Sequence, residues 1–361
     1  MIASAMPRRR LFAPAIAMLG LSAIPRRSVA IADTRLIGPR QDLVLLAAPI
    51  STDPYYADVA DAIFDFHVAL AEAIAGRDRV LILTDRDAYS DYADVLGADR
   101  VAQAPMQDIW TRDFGTSNPD QPVLFRYTAA GQGGGAQGQR DADRVQDDLA
   151  VLLEEAGVAI HETDLFNDGG NFVEDGAGNA VVSRKFLRDN NLTEIAGRAV
   201  LRDLLGLRAV AFIESDEQGG LEHADGVVAF VDPGVLIVNT YNDDPDYAAE
   251  LLDDLARGLP GVALHQVVAP YDGTAIHDAR FGSACGLYTN ALVTPGHVYL
   301  PQFGGPDDAI ALAQVRAVTT RNVVPLPSDG VCHMGGGIRC LSWQLRGSAA
   351  ETVLAYLGKT G

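Results

Sequence analysis

Cys340 is the side chain with the greatest chemical reach in this chain, because it closes the run Gly335-Gly336-Gly337-Ile338-Arg339-Cys340. Glycines let backbone approach a bound molecule closely and adopt positive φ. A thiol with an ordinary pKa of about 8.5 is mostly protonated at neutral pH, so a nucleophilic cysteine needs a neighbouring base or cation. His223 is one supplier and a bound cationic substrate is another. His223 and Asp225 stand at i and i+2 in Glu222-His223-Ala224-Asp225-Gly226, and on a strand that spacing turns both to one face. Plainer readings exist for each motif. His223 alone reads as a surface or hydrogen-bonded histidine. Arg112-Asp113 after Trp110 reads as a turn with a salt bridge under an indole, and Asp168 in Asn167-Asp168-Gly169-Gly170-Asn171 as a turn residue.

The elements that must position these groups recur. An apolar run, an amphipathic stretch and a second apolar run appear five times. They fall at 42–50, 56–75 and 79–84; at 122–128, 143–155 and 158–162; at 180–186, 192–205 and 209–214; at 235–241, 246–257 and 262–268; and at 297–303, 307–318 and 322–326. Each reads as strand, helix of about three turns, strand. Repeats that cannot bury both faces alone must stack, here around an axis. A doubly wound α/β sheet gives the same alternation, and periodicity does not choose between them.

The placement of the unusual residues does choose. Each unit is followed by a polar link: Met106 to Gly115 with Trp110, Arg112 and Asp113; Asn167 to Asn171 with Asp168; Glu222 to Gly226 with His223 and Asp225; Gly286 to Asn290; and Gly335 to Cys340. Radial packing brings all five links to one end of one axis, so remote residues converge on a site carried by rigid strands.

Length and composition bound the answer. A chain of 361 residues holds about two domains or one large one. With 48% hydrophobic and 21% charged residues, a packed core rather than disorder follows. The net charge of −20 disfavours nucleic acid and anionic membrane, which need clustered Lys and Arg. It suits a cationic small molecule or peptide, as well as simple solubility. The N-terminus alone is basic. Arg8, Arg9 and Arg10 precede an apolar run from Leu11 to Ile24, and Ala30-Ile31-Ala32 offers a small-residue cut site. We read residues 1–32 as an export leader of twin-arginine type and 33–361 as one catalytic domain, exported to the periplasm or beyond. The apolar run is too short to remain as a membrane span. In an oxidising compartment the three cysteines leave at least one thiol unpaired. Cys340 is expected free, while pairing of Cys285 with Cys332 and the oligomeric state stay open.

Other chemistries lack their residues. Gly282-Ser283-Ala284-Cys285-Gly286 is not a serine-hydrolase elbow, and no HExxH, CxxC or phosphate loop with Lys-Ser/Thr occurs. No structural zinc is expected. Gly131 to Gly138 reads as a flexible loop or lid.

The segments IWTRDFG, DGGNFVEDGAGN, EHADG, TNALVTPGHVYLPQFG and GGGIRC resemble, in order, the agmatine deiminase and bacterial peptidylarginine deiminase family. That resemblance implies a pentein fold, a five-unit pseudosymmetric α/β propeller, and a guanidine deiminase that forms a thiouronium on cysteine. It implies that Cys340 is the nucleophile, His223 the general acid/base, and Asp113 and Asp225 the guanidinium ligands. Trp110, Arg112, Asp168, Asn290 and Gly337 fall in its substrate-binding set. No cofactor and no metal is implied. Agmatine is the first substrate reading, giving N-carbamoylputrescine, and an arginine-containing peptide the second; a cation-binding protein without catalysis is the alternative from another class. Three positions depart from the agmatine-type pattern: Thr116 replaces a proline, Asp168 a glutamate, and Arg339 a histidine.

Overall fold

The computed structural model describes residues 41–216 and 220–359; the leader expected over 1–32 lies outside them. The described residues form five small sheets. In the first, β1 (Leu43–Ala47) pairs in parallel with β2 (Arg79–Thr84) and β2 with β3 (Val101–Gln103). The second holds β4 (Val123–Arg126) and β5 (His161–Phe166); the third β6 (Phe172–Glu174), β7 (Asn179–Ser183) and β8 (Ala209–Ile213). The fourth holds β9 (Val228–Asp232), β10 (Val235–Asn239) and β11 (Ala263–Val267). The fifth holds β12 (Leu292–Val293), β13 (His297–Gln302) and β14 (Asn322–Pro327), and β15 (Trp343–Leu345) returns to pair antiparallel with β1.

The repeat is one device used five times: a parallel strand pair joined through a helix, with a short antiparallel strand beside its first member. The helices are α1 (Ala60–Ile74) and α2 (Tyr89–Leu96) in the first unit, α3 (Thr111–Phe114) in its link, and α4 (Gly135–Ala156) in the second unit. Then come α5 (Lys185–Asp189) and α6 (Glu194–Leu205), α7 (Pro245–Gly258), α8 (Asp307–Val318) and the C-terminal α9 (Gly347–Tyr356). Among the described residues no helix is long and apolar enough to cross a membrane. In the second unit the antiparallel strand shrinks to a single bridge between Ser117 and Val123. In the first it is β15, so the C-terminal segment closes the ring.

The core shows the ring directly. Strand side chains alternate between faces, and both faces of β1 are buried. Val44 and Leu46 join Tyr299 and Leu326 of the fifth unit, while Leu43 and Leu45 join Leu124 and Leu149 of the second. Phe125 meets Phe212, Val181 meets Leu236, and Ile237 meets Val298 in the remaining apolar clusters. Each cluster therefore fills a seam between adjacent units, and the last seam joins the fifth unit to the first. The expected five-unit propeller is the fold; a doubly wound sheet is not.

Two local expectations differ. The glycine-rich run is not an open loop: residues 129–132 form a 3-10 turn and α4 begins at Gly135, well before the expected 143. The second strand of that unit starts at His161 rather than Val158, because the helix ends on Gly157 in the left-handed conformation and Val158 packs below it.

Candidate active site

Four of the five links meet in one cavity of about 400 Å³; the second, at 167–171, does not line it and reaches it through the bond between Asp168 and His223. Trp110 and Asp113, His223 and Asp225, Asn290, and Cys340 all line it. The first link is held by Thr111, whose hydroxyl donates to the carbonyls of Leu45 (3.3 Å) and Leu341 (3.0 Å). The short helix α3 then turns Asp113 inward. Gly336 lets the last link pass the indole: a Cβ there would collide with Trp110 and lie 2.9 Å from the Cys340 Cβ. Gly170 does the same at the second link, where a Cβ would land on His223 Nδ1 and within 2.7 Å of Asp113 Oδ1.

The buried imidazole stands between two carboxylates. His223 Nε2 donates to Asp168 Oδ2 (3.1 Å), and Nδ1 lies 3.6 Å from Asp113 Oδ1. Burial opposes a charge on His223, but Asp113, Asp168 and Asp225 outweigh it and raise its pKa to about 9. Burial pushes Asp113 up to about 7 against the pull of His223. Asp168 is buried too, yet the bond from His223 and the amide of Thr128 hold it below the usual carboxylate range. At neutral pH the pair is thus an imidazolium on an ionised Asp168.

The sulfur has two donors, the Asn290 carboxamide and the Gly337 amide, and one acid beside it. Asn290 Nδ2 donates to Cys340 Sγ (3.1 Å), while Oδ1 accepts the amide of Arg339 (3.1 Å), which fixes the orientation of the carboxamide. Asp225 Oδ2 lies 3.8 Å from Sγ. Burial pushes the Cys340 thiol well up, and the charges of Asp225 and Asp113 push it further, against help from the Gly337 amide and Asn290. The Cys340 thiol is therefore protonated at neutral pH.

Three residues of the expected binding set lie elsewhere. Asp168 does not line the cavity; its oxygens are taken by Thr128 (2.8 Å from both amide and hydroxyl) and by His223. Arg112 points away and bonds Gln344 (2.8 Å). Gly337 sits behind Asn290 and reaches the sulfur through its amide alone. Conversely, Tyr127, Asp216, Tyr241, Asp243, Tyr271 and Phe281 line the cavity without having been expected. They belong to no motif, and only the ring closure brings them there. Cys285 and Cys332 form a disulfide that ties the wall carrying Ser283 and Ala284 to the wall carrying Met334 and Gly335, and Cys340 is free. Among the described residues no group of three or more His, Cys, Asp or Glu side chains is arranged to hold a metal ion.

The family model of the Porphyromonas-type peptidyl-arginine deiminases matches residues 39–345. The agmatine deiminase of Stutzerimonas stutzeri is 28% identical over 319 residues, covering 76% of this chain and 85% of that one. The solved agmatine deiminase of Enterococcus faecalis superposes with a TM-score of 0.69 at 22% identity, covering 85% of this chain and 93% of that one. A C. jejuni agmatine deiminase, in a cysteine-to-serine form with substrate bound, superposes with a TM-score of 0.68 at 16% identity, covering 86% and 94%.

Proposed function

We propose a reaction for this chain, which belongs to the Porphyromonas-type peptidyl-arginine deiminase family: hydrolysis of a guanidinium to a ureido group and ammonia through a covalent adduct on Cys340. Agmatine is the substrate this reading favours, with N-carbamoylputrescine as product. One observation carries the choice. The buried end of the cavity holds Cys340, Asp113, His223 and Asp225 with Trp110 beside them, and its outer part holds Asp216 and Asp243 among Tyr241, Tyr271 and Phe281. No Lys or Arg is among the described lining residues. Such a cavity suits a molecule cationic at both ends, with aromatic faces along its length, and offers a free α-carboxylate no cation.

The chemistry follows from the charges. A guanidinium is planar, always charged and rich in N–H donors. Asp113 and Asp225 accept from it by charge-assisted bonds and present its central carbon to sulfur. The arriving cation stabilises the thiolate, whose proton leaves to solvent. Sγ attacks the central carbon, and the His223 imidazolium gives a proton to the departing ammonia. A thiouronium on Cys340 remains. Neutral His223 then takes one proton from water as the water oxygen attacks; as the C–S bond breaks, the second proton of that water passes to sulfur, and the ureido product leaves with Cys340 again a thiol and His223 again an imidazolium. General acid/base help of this kind contributes about 10²–10⁴-fold.

Peptidyl arginine is the second reading, favoured by the disulfide. A Cys285–Cys332 bridge persists in oxidising compartments, which supports export, and an exported enzyme meets peptides. The full chain incubated with agmatine, arginine and arginine-containing peptides, with ammonia and ureido product measured, tests both. Turnover of agmatine above the others upholds the first reading. Turnover of peptides alone replaces it with the second.

A further inference from the structure

Arg339 immediately precedes the sulfur and touches every other link. Its Nη1 donates to Asp225 Oδ2 (2.7 Å) and to the Gly169 carbonyl (3.4 Å), and its Nη2 to the Phe172 carbonyl (2.6 Å). Its amide donates to Asn290 Oδ1 (3.1 Å), and its carbonyl accepts from Arg112 Nε (3.4 Å). So the residue joins the first, second, third and fourth links to the fifth. Its guanidinium does not line the substrate cavity. It lines a second cavity of about 750 Å³, together with Arg112, Gly169 and Phe172, and no residue is shared between the two linings. The Arg339 guanidinium therefore stands behind Asp225, on the side away from the substrate cavity.

We propose that Arg339 is a positioning residue: its guanidinium pins Asp225 Oδ2 from behind, leaving Oδ1 for the substrate cation, and sets the register of Cys340 against the four other links. The proposal rests on the reading of the cavity as a guanidine-hydrolysing site. Its physical core is acceptor geometry. Asp225 is buried, and the one Arg339 N–H that reaches it comes from a guanidinium whose plane is itself fixed by the carbonyls of Gly169 and Phe172. The planar fork of an arginine reaches a carboxylate and two carbonyls from different segments at once, which the point charge of a lysine does not. Asp225 Oδ2 also stands 3.8 Å from Sγ, so the cation behind it offsets a negative charge beside the thiol. Arg339 acts on both halves of the reaction, gripping the cation and forming the thiolate, through Asp225.

The experiment is a coupling cycle on the full chain, with the disulfide intact so that Cys340 is the only free thiol. Arg339→Gln is expected to lower kcat/KM by about 100-fold, the scale of a misplaced reacting group, with KM raised as well as kcat lowered. Arg339→Lys keeps the charge without the fork and is expected to lose about tenfold. In the Asp225→Asn background, Arg339→Gln is expected to cost less than about threefold more, because its target is already disabled. A second readout needs no substrate. The rate of Cys340 alkylation by iodoacetamide at pH 7.5 is expected to fall about tenfold in Arg339→Gln, where the charge of Asp225 is no longer offset, and to change little between Asp225→Asn and the double variant. Parental kcat/KM and alkylation in Arg339→Gln, or an undiminished effect in the Asp225→Asn background, would overturn the proposal. If Arg339→Gln does not fold, Arg339→Lys carries the same comparison. If the parent turns over no guanidine while alkylation still shows the coupling, the substrate reading fails and the assignment of Arg339 stands.

Discussion

Asp168→Asn tests how the imidazole is kept charged. In the native site Asp168 Oδ1 accepts the Thr128 amide, and Oδ2 accepts both the Thr128 hydroxyl and His223 Nε2. An asparagine must keep its one acceptor oxygen on the Thr128 amide, which can only donate. Its NH₂ then takes the place of Oδ2 and faces His223 with a donor. Nε2 must become an acceptor there, and the imidazolium loses a partner. The native pKa of about 9 leaves roughly one His223 in forty neutral at pH 7.4. Removing one opposite charge at contact lowers such a pKa by about 1–3 units, to about 6–8, so the protonated share at pH 7.4 falls to between about four-fifths and one twenty-fifth. The general acid for ammonia release is depleted in proportion, and kcat at pH 7.4 is expected to fall by up to about 25-fold, with its high-pH limb moved down by the same 1–3 units. The assays are an NMR titration of the His223 ring and the pH profile of kcat. A ring that still titrates near 9, with kcat within threefold of the parent, would refute the reasoning.

Stability should fall as pH rises. The raised pKa of Asp113 means that the folded protein holds a proton the unfolded chain releases, so stability is lost as pH climbs from about 4 through about 7. The raised pKa of His223 extends the loss from about 6.5 through about 9. Urea unfolding at pH 5, 7 and 9 reads both, and the slope above pH 7 should flatten in Asp168→Asn. Cys285→Ser with Cys332→Ser opens a bridge spanning 47 residues and should cost about 2–4 kcal/mol; since the bridge joins two cavity walls, KM should rise too, measured by melting and steady-state kinetics. Gly170→Ala drives a methyl into His223 and Asp113; it should cost about 1–3 kcal/mol of stability and lower kcat at least tenfold, whereas Gly176→Ala, where a Cβ meets nothing within 4 Å, should leave kcat unchanged.

The five units were legible because β1, β4, β7, β10 and β13 are largely buried, mostly apolar runs, each followed by a helix and a parallel return. The antiparallel strands were not. β12 has two residues and β6 and β15 three, too short for a period; β9 has five but runs straight into β10 with no helix between to mark it, and β15 finds its partner β1 across the whole chain. Convergence of Trp110, Asp113, His223, Asp225, Asn290 and Cys340 followed from the place of each link after its unit, and the cavity contains all six. What each side chain does with its hydrogen bonds was hidden. Nothing local says that Asp168 turns its oxygens to Thr128 and His223 rather than to the cavity, or that Arg339 reaches Asp225. Those choices depend on atoms from separate units meeting at the axis. Asp216 and Tyr241 were equally silent: an acid after a strand and a tyrosine at a strand end are common surface residues until the fold places them together (2.8 Å from Tyr241 Oη to Asp216 Oδ2).

Peptide mass spectrometry of the full chain, acid-quenched during turnover of agmatine, tests the attack by sulfur most directly. The account predicts a Cys340 peptide carrying the substrate less one ammonia, absent in Cys340→Ser, which should also produce no ureido compound. Product formed by Cys340→Ser at the parental rate, or an adduct on any other residue, would contradict it.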